Sequence, residues 1–213
     1  MKNINALVIG ATGATGREIV SQLLEDVSFD SVSIFVRKDP NISHSKLKTN
    51  VIDFSKLEEY KELIKGGILF SCLGTTLRTA GSKEKQYLVD YTYQYEFAKM
   101  ASDNGVPVYS LVSSTGANEA SPFFYPKIKG ELEEAIKKLP FKTIQIFQPP
   151  TLIRQKNLMR TGEKIGIKIF GFLNSFGILK SQKPLPVSSL AKVMVDHLKM
   201  KQKEKVNTIK TFN

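Results

Sequence analysis

Three glycines at equal intervals open the chain's chemistry. Gly10-Ala11-Thr12-Gly13-Ala14-Thr15-Gly16 follows the apolar run Ala6-Leu7-Val8-Ile9. Such a turn between a strand and a helix has a use for each glycine. The first permits a tight exit from the strand, the second lets the backbone approach a pyrophosphate with no Cβ in the way, and the third lets the helix pack closely on the sheet. The helix N-terminus then turns its N–H groups and the positive end of its dipole toward the phosphates. Gly10, Thr12, Gly13, Ala14, Thr15 and Gly16 are the candidate phosphate-binding positions.

A dinucleotide on this loop would reach the end of the second strand with its adenosine ribose. An acidic residue there bonds a 2′-hydroxyl, whereas an arginine suits a 2′-phosphate with its fork of donors. The chain has Arg37-Lys38 at that point. NADP(H) is therefore the expected cofactor. Asp53, after the third strand, either hydrogen-bonds the adenine amine or serves as a turn or cap residue.

Tyr125 and Lys129 stand four residues apart, on one face of a helix. A lysine ammonium beside a phenol lowers the phenol's pKa and lets it exchange a proton with a carbonyl or alcohol near neutral pH. Lys129 also suits the nicotinamide ribose. Ser113 and Ser114 end the fifth strand, and ligands of open α/β sheets bind at strand carboxyl ends. A serine hydroxyl there would hold the substrate oxygen beside the tyrosine. Ser114, Tyr125 and Lys129 are the candidate catalytic set, with Ser113 the alternative anchor.

The elements that must position these residues alternate along the chain. Strands are expected at 6–9, 32–36, 51–54, 68–72, 106–112 and 143–147. Helices are expected from Gly16 to Glu25, after Ser55 as N-cap, over 85–103 and over 126–138. This alternation implies a doubly wound parallel sheet, the Rossmann arrangement, in a single α/β domain over 1–213. The portion from about 150 onward is the substrate side, with a last helix capped by Ser188. The apolar segment 164–180 is read as a lid over the pocket for an apolar small molecule; a plain core or homodimer contact and a membrane-surface helix are its alternatives.

Composition narrows the class. Lys and Arg number 31 against 20 Asp and Glu, a net charge of +11. The lysines are scattered and form no stripe, so a basic surface with a phosphate pocket is expected rather than a nucleic-acid site. No 18-residue apolar run predicts a membrane span. Cys72 is the single cysteine, which excludes an internal disulfide and fits a cytoplasmic location. His44 and His197 have no neighbouring ligands in sequence, so no metal site is expected.

The order GATGATG, Arg37-Lys38, Cys72-Leu73-Gly74-Thr75-Thr76, Ser113-Ser114-Thr115-Gly116-Ala117 and Tyr125-x-x-x-Lys129 resembles the atypical short-chain dehydrogenase/reductase family, in its Tat-interactive protein group. The resemblance runs from Ala6 to about Val195. It implies a Rossmann fold that binds NADPH, with Leu73 and Gly74 contacting the cofactor and residues 149–153 lining its nicotinamide side. The resulting expectation is an NADPH-dependent oxidoreductase reducing a carbonyl or related unsaturated small molecule. A regulatory NADP(H) sensor without turnover and a sugar-nucleotide epimerase are the rival readings.

Overall fold

The structure is a computed structural model that describes residues 4–153, 184–200, 202 and 204–212. The lid expectation for 164–180 lies outside the described residues. Seven parallel strands form one sheet: β1 (Ile4–Ile9), β2 (Phe29–Val36), β3 (Leu47–Val51), β4 (Ile68–Ser71), β5 (Val108–Val112), β6 (Thr143–Phe147) and β9 (Val206–Ile209). Their order is β3-β2-β1-β4-β5-β6-β9. Two short strands, β7 (Leu152–Ile153) and β8 (Leu185–Pro186), pair in parallel beside it. The chain starts in the middle of the sheet, winds outward through β2 and β3, then crosses back to β4. Strand order therefore reverses between β1 and β4, where Leu7 lies opposite Leu69. The crevice beyond the carboxyl ends of these strands is where such sheets bind ligands.

Helices cover both faces because the central strands are apolar on both. β4 is buried along its whole length. On one face, α1 (Ala14–Glu25) and α6 (Val187–Lys199) pack through Ile19, Leu23, Leu190 and Met194. On the other lie a 3-10 segment (Phe54–Leu63), α4 (Tyr93–Asp103) and α5 (Phe124–Lys137), whose Phe97, Leu132 and Ile136 meet Leu69 and Ile144. Two short helices, α2 (Leu77–Ala80) and α3 (Lys83–Tyr87), follow β4, and a single π turn (Leu88–Thr92) joins α3 to α4. Burial of a large apolar side chain such as Phe97 contributes about 1.5–3 kcal/mol.

Several expected boundaries move. The third strand is Leu47–Val51 rather than 51–54: Asp53 caps the 3-10 segment by accepting the Ser55 N–H at 2.9 Å, so Asp53 and not Ser55 is the N-cap. The last helix begins at Val187 after Pro186, and Ser188 sits inside it. β9 has no counterpart in the sequence reading; it pairs with β6 at the sheet edge, Ile144 opposite Val206.

Gly130 holds the loop after β5 against α5. A Cβ on it would lie 2.2 Å from the Asn118 carbonyl carbon and the Glu119 nitrogen. Gly130→Ala is expected to destabilise the fold by about 1–3 kcal/mol through overpacking, read as a lower thermal midpoint; an unchanged midpoint would show that the loop yields without cost.

Candidate active site

The glycine loop is built as its spacing requires, and for steric reasons. Gly10 has φ +77°, and a Cβ there would sit 2.4 Å from the Cys72 carbonyl. A Cβ on Gly16 would sit 2.2 Å from the Gly10 oxygen. These two glycines let the turn, α1 and the end of β4 touch. Gly13 is different: its Cβ would stand 3.2 Å from the Gly10 oxygen, a tight but smaller conflict. Gly13 is the N-cap of α1 with no side-chain cap, and the first turn carries no acidic residue. Its exposed backbone face suits an anion. Thr12 lies exposed beside it, and Thr15 is buried beneath.

The same contact brings Leu73 and Gly74 to the loop, since the Leu73 nitrogen would also touch a Gly10 Cβ, at 2.6 Å. Arg37 and Lys38 stand exposed directly after β2, the neighbour of β1, and neither makes an ion pair with a described residue. Arg17 was not singled out in the sequence reading. Its Nε donates to the Thr12 carbonyl at 3.0 Å, which fastens a third cation to the glycine loop. Asp53 Oδ1 accepts both the N–H and the hydroxyl of Ser55, which favours the cap reading over the adenine reading.

Tyr125 and Lys129 share one face of α5, with the Lys129 Nζ 5.9 Å from the centre of the tyrosine ring. Lys129 is almost wholly buried, yet its ammonium is held charged. Burial pulls its pKa down, but Tyr125, Asp90 and Glu133 together outweigh burial and raise it above the ordinary lysine value. The carboxylate in contact with it is that of Asp90, whose Oδ1 lies 3.2 Å from the Nζ. Asp90 is itself fully buried, and its other oxygen accepts the Thr75 N–H at 3.0 Å. Asp90 went unnoticed in the sequence. The signal available was polar: Gln86, Asp90 and Gln94 recur every four residues, and each is buried.

The two serines part ways. Ser113 is buried, and its hydroxyl donates to the Glu133 carboxylate, which also accepts twice from Gln148 Nε2 at 2.9 Å. That use favours Ser114 over Ser113 as the anchor. The Ser114 Oγ is buried and has no hydrogen-bond partner among the described residues. A buried hydroxyl left unsatisfied is costly unless something else completes it. The Thr115 N–H donates to the Pro149 carbonyl at 2.9 Å, which ties this loop to the segment leading into β7. Burial pushes the Cys72 thiol up to about 12, which disfavours its thiolate form.

Fold and site together define a dinucleotide-binding protein of the doubly wound class. Residues 10–201 match the NAD(P)H-binding family, and the chain belongs to it. It is 34% identical over 199 residues to the Candida albicans protein FMP52, mitochondrial, covering 91% of this chain and 87% of that one. It is 31% identical over 202 residues to the Norway rat (Rattus norvegicus) protein HTATIP2, covering 93% and 82%. The resemblance to the Tat-interactive protein group therefore stands. Among solved structures, the Bordetella bronchiseptica enzyme WbmG in complex with NAD superposes with a TM-score of 0.74 at 11% identity, covering 98% of this chain and 73% of that one, a likeness of fold. The cytoplasmic expectation is corrected: fungal relatives, the Candida albicans protein among them, are named mitochondrial. A single cysteine excludes an internal disulfide but specifies no compartment.

The Lys129–Asp90 pair has a measurable coupling. Asp90→Leu leaves a buried ammonium short of its nearest partner and is expected to cost about 3 kcal/mol, most of it recovered on adding Lys129→Met. Urea unfolding of the two single variants and the double variant checks this; strictly additive losses would deny the coupling. Because the Lys129 pKa is raised on folding, its contribution is complete below the ordinary lysine value of about 10.4 and fades only as pH climbs through the raised one.

Proposed function

We propose that this protein is an NADPH-dependent reductase of a small carbonyl or related unsaturated compound, acting through Ser114, Tyr125 and Lys129. The observation that carries the reading is the buried, unpartnered Ser114 hydroxyl on the loop that packs against the helix of Tyr125 and Lys129. The residues present fit a dinucleotide. The glycine turn leaves a backbone face for the pyrophosphate at Gly13, Ala14, Thr15 and Gly16, and Arg37 and Lys38 supply donors for a 2′-phosphate. Bound there, the reduced cofactor supplies hydride.

The chain's own groups handle the oxygen that the hydride makes negative. Ser114 Oγ donates a hydrogen bond to it and fixes its place. Tyr125, exposed on α5, donates its phenolic proton to the same oxygen. The buried Lys129 ammonium lies over the tyrosine ring and steadies the phenolate that remains. Its Nζ would also hydrogen-bond the nicotinamide ribose. Asp90 keeps that ammonium charged and in position.

Two experiments test this. Tyr125→Phe is expected to leave NADPH binding intact and to slow carbonyl reduction by a factor of about 10² or more. Full activity in the variant would refute the role of Tyr125, and absence of turnover across a broad carbonyl panel would favour the sensor reading. Arg37→Ala is expected to cost about 1.5–3 kcal/mol of NADPH affinity while leaving NADH almost unchanged. An unaltered affinity ratio would remove Arg37 from cofactor selection.

A further inference from the structure

Among the described residues, the charged side chains that are buried are Asp90, Lys129 and Glu133, two anions and one cation. They gather at one place. Lys129 contacts Asp90 at 3.2 Å, and Glu133 stands one turn further along the same helix, close enough to act on the lysine charge. Among the described residues, the remaining partners are neutral. Thr75 gives Asp90 a backbone N–H, and Ser113 and Gln148 give Glu133 a hydroxyl and an amide. These hydrogen bonds satisfy lone pairs but bring no positive charge. Counted over the described residues, the cluster holds a formal excess of one negative charge in the interior, and such a charge favours a cationic neighbour.

We infer that this excess makes the site select the oxidised, cationic nicotinamide over the reduced, neutral one. The inference rests on the proposed cofactor reading, which puts the nicotinamide end of the dinucleotide beside Lys129. The two redox forms share every phosphate and ribose contact, so those contacts cancel when the forms are compared. What differs is one positive charge on the ring. A charge within about 4–6 Å moves a protonation equilibrium by about 1–3 units. The same attraction acting on the ring gives NADP+ an advantage of about tenfold or more. A tenfold ratio lowers the two-electron potential of the bound couple by about 30 mV. The oxidised cofactor is then the form the protein retains.

Calorimetric titration of the full chain with NADP+ and with NADPH, separately, reads the ratio of the two affinities. NADP+ is expected to bind about tenfold more tightly or better. Glu133→Gln removes one anion; Gln148→Arg keeps both anions and sets a cation against Glu133. Each is expected to bring the ratio to within about threefold of one. Ser113→Ala removes a hydrogen bond to Glu133 but no charge, and its ratio should stay that of the unaltered protein. Should Glu133→Gln fail to fold, Gln148→Arg and the unaltered protein still decide the matter. Equal or tighter binding of NADPH by the unaltered protein overturns the inference, as does a ratio unmoved by Gln148→Arg. Failure of both nucleotides to bind overturns it together with the cofactor reading, and that result is distinct from a wrong ratio.

Discussion

Lys129 is a cation in the interior, with its side chain 2% exposed, and its contact partner Asp90 is 0% exposed. Taking an ammonium out of water costs several kcal/mol, and a carboxylate recovers this only when it is held in contact. Asp90 is held from two sides. The single π turn at Leu88–Thr92 carries it, and the Thr75 N–H fixes its second oxygen. Single π turns inside α-helices commonly mark functional sites. One ion pair thus joins the loop after β4, the helical stretch with the π turn and α5. Tyr125, one turn before Lys129 on the same helix, takes its place from this pair.

A second constraint is steric and acts on backbone alone. At the point where strand order reverses, the turn after β1, the first turn of α1 and the Cys72–Leu73 peptide come together so closely that Gly10 and Gly16 admit no Cβ. That packing fixes the glycine turn relative to the end of β4. The ion pair fixes α5 relative to the same end of β4 through Thr75. The two halves of the proposed site, the glycine turn and the Tyr125–Lys129 face of α5, are therefore tied to one loop.

Much of this was legible in the sequence, because it follows from local pattern. Apolar runs such as Ala6–Ile9 and Thr143–Phe147, the glycine intervals, and the four-residue step from Tyr125 to Lys129 each state their own geometry. What was not legible depends on contacts between distant segments. β3 and β9 lie toward the sheet edges, and their sequences, LKTNV and VNTI, are too polar to announce a strand. Ser113 and Ser114 are adjacent and of the same type, so only the partner Glu133, twenty residues further on, tells them apart. Asp90 reads as one more helix residue until Lys129 is brought against it.

A crystal structure of the protein with a bound nicotinamide dinucleotide tests the central claim most directly, since it locates the ligand relative to the Lys129–Asp90 pair. The account expects the pyrophosphate on the backbone of Gly13–Gly16, the nicotinamide ribose within hydrogen-bond distance of Lys129 Nζ, the Lys129–Asp90 contact retained, and the ring beside Tyr125 and Ser114. A dinucleotide with its nicotinamide end away from Lys129, or a Lys129 that leaves Asp90 on binding, would contradict it.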